Sequence, residues 1–219
     1  EKSNSVSNEN RTEEEISSYS SPLKSKASGR LNNIKITCSA LNGTIVHKGD
    51  TFSFCNTLGP STAEKGYEKA DVIINGETEQ ALGGGNCQVS STLYNAVLAV
   101  PDLEVVERHE HGKNVGYVPE GKDATVSYGS VDFKFKNNRD YPIKIEASYA
   151  KSKLTCKIIG TDVDGSYVKF TSEKTGDVGF NTKYERTIKY RMKRITFSHC
   201  VNSNANIGNT KDNTYSKDA

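Results

Sequence analysis

Three consecutive glycines, Gly83-Gly84-Gly85, run straight into Asn86-Cys87 and then into an apolar stripe. Val89, Leu93, Ala96, Val97 and Val100 recur at helical spacing, so a helix starting near Cys87 is expected to bury one face. Residues without a Cβ allow backbone angles closed to other side chains, and Asn86 is a good N-cap candidate. The turn therefore sets a thiol on the first turn of a buried helix, among backbone N–H groups that lack intrahelical partners. Gly85, Asn86 and Gln88 make up the loop expected to offer such groups to a thiolate or an acyl oxyanion.

A helix start is not enough to activate the thiol. Its field is worth about 0.3–1 kcal/mol, or roughly 2 when partly buried, which lowers a thiol pKa by about one unit. A cationic partner is needed, most often histidine. Of the four histidines, His47 falls in a turn and His199 lies beside Cys200. His109 and His111 follow the helix and one strand, a path that can return them to the helix start. They are two apart, so in extended chain they share a face. His111 is the first choice as base and His109 the second. Asp123, then Asp132, is the carboxylate expected to orient the imidazole. Other readings of the same residues exist. Gly-Gly-Gly-Asn-Cys-Gln lacks the Lys-Ser/Thr ending of a phosphate-binding loop. A cysteine at a buried helix start is often an inert small hydrophobe. The histidines could be loop residues, or with Cys87 could form a zinc site, although no Cys-x-x-Cys pair is present.

The remaining pattern predicts an α+β protein with early helices, one of them from the Cys87 turn, packed on a largely antiparallel sheet. Residues 1–29 are polar and are expected to be a disordered linker. Leu31, Ile34, Cys38 and Leu41 mark a helix stopped by Asn42-Gly43. Thr44–Cys55 reads as strand broken at Lys48-Gly49-Asp50, and Val72–Ile74 enters a hairpin at Asn75-Gly76. Strands are expected at Glu104–Glu107, Asn114–Val118, Ala124–Phe135, Pro142–Tyr149, Leu154–Ile159 and Tyr167–Ser172. Lys183–Phe197 reads as one alternating strand with a basic face of Lys189, Arg191 and Lys193. The expected organisation is a domain over 30–150, a β extension over 151–200 that completes or flanks the sheet, and a polar tail over 201–219.

A net charge of +2 on 219 residues gives no case for nucleic acid. No apolar run is long enough to span a membrane. Because the chain opens on Glu1, an upstream leader or anchor is expected to lie outside this sequence. Nothing in it calls for a cofactor, and a monomer is expected. Five cysteines leave at least one thiol unpaired.

Together, Gly49-Asp50-x-Phe52-Ser53-Phe54, Gly66-Tyr67-x-x-Ala70, Gly83-Gly84-Gly85-x-Cys87-Gln88-Val89-Ser90-x-Thr92-Leu93-Tyr94-Asn95-Ala96, Glu107-Arg108-x-x-His111, Tyr117-Val118-Pro119-x-Gly121-x-Asp123-Ala124-Thr125-Val126 and Asp132-Phe133-Lys134-Phe135-x-Asn137 resemble the VanW-domain family in order and spacing. The resemblance covers about 30–150. It implies an extracellular, cell-wall-associated protein of a Gram-positive bacterium. Some clostridial members look like L,D-transpeptidases. By that likeness Cys87 would attack the L,D bond of a peptidoglycan stem peptide, release the terminal D-amino acid and pass the acyl group to an amine of a second stem. Arg108, Tyr117 and Ser90 would position the substrate. An L,D-carboxypeptidase or endopeptidase, a non-catalytic wall-binding module and a redox role for Cys87 are the alternatives. Cys38 and Cys55 depart from the family pattern, which suggests that they pair with each other and leave Cys156 to pair with Cys200.

Overall fold

The structure, a computed structural model, describes residues 13–74, 77–150, 152–163, 165–174, 182–189 and 194–198. It is an α+β fold whose strand pairings are all antiparallel. The chain begins with β1 (Glu14–Pro22), α1 (Ser28–Leu41), β2 (Ile45–Val46), β3 (Thr51–Ser53) and α2 (Phe54–Leu58). It continues with β4 (Lys69–Ile74), β5 (Glu77–Leu82), α3 (Asn86–Leu98), β6 (Leu103–Glu107), β7 (Lys134–Asn137), β8 (Ile143–Ala150) and β9 (Lys153–Gly160). β10 (Tyr167–Lys174), β11 (Thr182–Lys189) and β12 (Arg194–Ser198) close it.

The main sheet runs β1-β9-β8-β2, beside the smaller sheets β3-β7-β6, β4-β5 and β10-β11-β12. Period-2 alternation explains its inner face, where Ile143, Ile145, Leu154, Cys156 and Ile158 are buried. α1 crosses β8, and α3 lies over β9 and β1. The apolar stripe of α3 is buried as its spacing requires, with Val89, Leu93, Ala96 and Val97 inaccessible. Phe133 and Phe135 extend this core under Tyr94 and Phe52.

Several expectations are corrected. The predicted linker contains β1, which pairs along nearly all of β9. Its two buried residues, Ser17 and Ser21, dock through hydroxyls, and only Ile16 and Tyr19 pack apolar surface on the core, so hydrophobic periodicity is too sparse to reveal it. Ser17 Oγ donates to the Ala96 carbonyl at 2.7 Å, and the Ser21 and Thr92 hydroxyls meet at 2.8 Å. Ser17→Ala is accordingly expected to cost about 1 kcal/mol, read as a lower melting temperature; an unchanged melt would mean that β1 is not docked.

Asn114–Val118 is irregular, because the Asn114 side chain accepts the Gly116 N–H at 2.8 Å and Gly116 has φ 68°. Ala124–Phe135 is strand only from Lys134. Before that, Ser127 and Val131 bridge across a turn in which Gly129 has φ 80°. Phe54 and Cys55 begin α2, capped by Ser53 Oγ on the Asn56 N–H. The Lys183–Phe197 run is two strands, with Ile188 opposite Ile195, since an alternating run can satisfy its backbone groups by pairing with itself. Arg191, Lys193, His199, Cys200, the Asn75-Gly76 turn and the 201–219 tail lie outside the described residues. Cys38, Cys55 and Cys156 are free thiols among the described residues, so the suggested Cys38–Cys55 disulfide does not form, and the Cys156–Cys200 suggestion falls on a residue outside them. Cys38 and Cys156 are core side chains, and Cys55 is held at α2, where its N–H and Sγ engage Asp132 and the Val131 carbonyl.

Candidate active site

The polar side of α1 clamps the glycine turn. Asn33 Nδ2 donates to the Gly84 carbonyl at 3.1 Å, and Thr37 Oγ1 donates to Asn86 Oδ1 at 2.7 Å. A Cβ on Gly84 would stand 2.8 Å from the Ala70 backbone of β4. Gly85 has φ 115°, and a Cβ there would lie 2.9 Å from Ile34. Glycine is thus required by close approach at the first position and by φ at the second. Gly85, not Asn86, is the N-cap residue and offers no side-chain cap. The Asn86 side chain instead joins Thr37 to Ser61. The backbone N–H groups of Asn86 and Gln88 are taken by Gly83 and Gly85 at 3.1 and 3.0 Å. Among the described residues, no backbone carbonyl takes the N–H of Cys87.

The loop over 107–126 returns to this turn because α3 grips it. Ser91 Oγ accepts the Ala124 N–H at 2.9 Å, and Asn95 Nδ2 donates to the Lys122 carbonyl at 2.7 Å. Thr125 and Val126 are thereby laid against Cys87, whose sulfur is 3.6 Å from the Thr125 hydroxyl and 3.4 Å from the Val126 carbonyl. The imidazole of His111 lies near enough to the same sulfur for each group to shift the other's pKa. Its Nδ1 faces Asp123 Oδ2 at 2.6 Å, which leaves Nε2 for the thiol. Asp123 also accepts the His111 backbone N–H at 2.7 Å and Arg108 Nη2 at 3.0 Å.

Burial pushes the Cys87 thiol up, but the hydrogen bond and charge of His111 bring it below its ordinary value. Burial pulls His111 down, yet Asp123 and the sulfur raise it to about 9. Burial likewise pushes Asp123 up, and its bonds to His111 and Arg108 reverse that. The three groups stand in the order carboxyl, imidazole, thiol, each shifted toward its charged form, and Cys87 as a residue is partly exposed. Tyr117 stands edge-on to His111, with centroids 6.5 Å apart, and interacts with Ser91. A small depression borders His111 and Asp123 beside Glu110, Lys113, Val118 and Pro119.

Cys87, His111, Asp123 and Tyr117 therefore come together, and other expected site residues do not join them. His109 turns to Glu107, 3.0 Å away, and touches the site only through its backbone bridge to Thr125. Asp132 serves the start of α2, accepting from Ser53 Oγ and the Cys55 N–H. Ser90 is wholly buried, and its hydroxyl has no partner among the described residues, so it cannot reach a substrate. Arg108 is buried against the Tyr94 ring and bonds the Asp123 and Gly121 carbonyls besides the Asp123 carboxylate. It orients Asp123 rather than facing a ligand. The Gln88 amide donates to the Pro22 carbonyl and accepts from Arg30, so it is not an oxyanion donor. Thr125, Val126, Ser91 and Arg30 were not singled out by the sequence, since each acts through a long-range contact.

The family described as VanW-like protein matches residues 29–159. The chain is 38% identical over 156 residues to the uncharacterized protein YoaR of Bacillus subtilis, covering 71% of this chain and 51% of that one. It is 31% identical over 129 residues to the vancomycin B-type resistance protein VanW of Enterococcus faecalis, covering 56% and 46%. The chain thus spans about half the length of these curated relatives. No solved structure matches it significantly.

Proposed function

The chain belongs to the VanW-like family, and from that premise we propose that it is an extracellular cysteine acyltransferase of peptidoglycan stem peptides, cross-linking them in the manner of an L,D-transpeptidase. The observation that supports the chemistry is the grouping itself: a thiol at a helix start beside an imidazole whose Nδ1 lies 2.6 Å from a buried carboxylate. The cell-wall setting is supported by the motif resemblance and by the likeness to an enterococcal vancomycin B-type resistance protein.

In the proposed reaction the Cys87 thiolate attacks the carbonyl carbon of the L,D amide, and the Cys87 N–H faces the developing oxyanion. The C–S bond forms, the C–N bond breaks, and His111 Nε2 gives its proton to the leaving amine. The D-amino acid departs. The amine of a second stem then loses a proton to the now neutral His111 and attacks the thioester. A new C–N bond forms and the thiolate returns beside an imidazolium.

Incubation with disaccharide-tetrapeptide followed by mass spectrometry tests the reading. The expected products are a cross-linked dimer and one released D-amino acid per bond formed. Tripeptide without dimer would make the protein a hydrolase using the same thiol. Binding without turnover would make it a wall-binding module, and equal product from Cys87→Ala would place the chemistry elsewhere.

A further inference from the structure

We propose that Arg30 binds the free α-carboxylate of the residue leaving the donor stem, held in place by Gln88. This rests on the acyl-transfer reading for its substrate, while its carboxylate chemistry stands on the structure alone. In a donor cut at the bond before its last residue, only three covalent bonds separate the scissile carbonyl carbon from the terminal carboxylate carbon, a span of about 4 Å. A group that reads that carboxylate must therefore stand beside the nucleophile turn. Arg108, expected from the sequence to do so, is buried behind Asp123.

Arg30, in the first turn of α1, stands in the required place. Its carbonyl and Cγ would lie 3.3 and 3.4 Å from a Cβ on Gly85, so its stem runs along the glycine turn. Its Nη2 donates to Gln88 Oε1 at 2.8 Å, on the residue directly after Cys87. That amide is itself oriented from β1, because Gln88 Nε2 donates to the Pro22 carbonyl at 2.9 Å and to Ser21 Oγ at 3.2 Å. Its oxygen is therefore the end presented to Arg30, and one corner of the guanidinium is fixed.

The rest of the fork remains. Arginine carries five N–H donors in a plane matched to a carboxylate, and this side chain is partly exposed. None of the ion pairs among the described residues includes Arg30. Arg30 and Cys87 both lie near enough to the Tyr117 phenol to act on it electrostatically. A fixed and uncompensated guanidinium beside a nucleophile suits a substrate that carries its own anion next to the scissile bond.

Two measurements test this. The first is independent of the natural substrate: the rate of Cys87 alkylation by iodoacetate divided by that by iodoacetamide, reagents of similar size that differ in a carboxylate. Arg30→Gln is expected to lower this ratio about tenfold, with Arg30→Lys between. The His111 cation is common to all these variants and cancels. Gln88→Ala is expected to lower the ratio as well, as a positioning residue should. The second compares kcat/KM for tetrapeptide donors ending in a free carboxylate or in an amide; the preference for the acid is expected to collapse toward one in Arg30→Gln. An unchanged alkylation ratio, or an unchanged acid preference in an active enzyme, would overturn the proposal. Equal slowing by both reagents with a lower melting temperature would show Arg30 to be structural only. A responsive alkylation ratio in a protein that does not process the tetrapeptide would sink the acyl-transfer reading and leave the carboxylate site standing.

Discussion

Replacing Cys87 with serine is expected to lower turnover of the disaccharide-tetrapeptide by about 10⁴-fold while the fold survives. The structural cost is small because serine is nearly isosteric and its hydroxyl can keep the polar contacts of the sulfur, the Thr125 hydroxyl and the Val126 carbonyl. The chemical cost is large because the site is tuned to hold a thiolate. Asp123 and the sulfur together keep His111 protonated up to about pH 9. A hydroxyl does not ionise in that range, so it needs a neutral imidazole to take its proton during attack. Asp123, still bonded to Nδ1, continues to favour the charged ring. The serine variant therefore has a weaker nucleophile and a base already occupied by a proton. Dimer formation by mass spectrometry and a thermal melt read the two parts separately. Turnover within tenfold of the parent would show that the thiolate is not the nucleophile.

What could be read from the chain alone followed from local rules. Gly84 and Gly85 announced the turn because their constraint, a missing Cβ against Ala70 and a positive φ, is written in residue type. The α3 stripe was legible because burial on one face requires that spacing. His111 and Asp123 could be ranked first, but only the structure separates His111 from His109. The difference lies in the Asp123 carboxylate bonding both the backbone and the ring of His111, while Glu107 draws His109 away. Arg108 was misread because a cation near a site suggests a ligand, and nothing local shows that its fork closes on carbonyls thirteen and fifteen residues on. Gln88 and Asn86 were misread for a related reason: their amides bond to α1 and β1, distant in sequence. β1 was invisible because Ser17 and Ser21 dock by hydroxyl bonds to α3, and periodicity counts only apolar side chains. The suggested disulfides came from departures from a family pattern, which carry no distance.

Removing the imidazole should expose how much of the thiol's ionisation it supplies. In His111→Gln the pH profile of Cys87 alkylation by iodoacetamide is expected to move its midpoint from below 9 to well above it, and the rate at pH 7 to fall by about two orders of magnitude or more. The direction follows from the neighbours. Burial alone pushes Cys38 to about 12 and, helped by Asp132, Cys55 to about 12. Cys87 is lowered because His111, with smaller help from Val126 and Thr125, outweighs the same penalty. Without that ring the largest lowering influence is gone and burial pushes the thiol up. Those raised thiols also stay silent near neutrality, so in a Cys200→Ser background the signal belongs to Cys87. The sign of the enzymatic profile follows from the same pair. Turnover should rise as the thiol ionises and fall as His111, the acid for the leaving amine, loses its proton near pH 9. Asp123→Asn keeps the ring's neighbour but removes the charge that raises it. Its alkaline limb should therefore move to lower pH and its acid limb to higher pH, narrowing the profile from both sides. A profile that shifted bodily in one direction, or a His111→Gln midpoint still below 9, would show that something other than this imidazole activates the thiol.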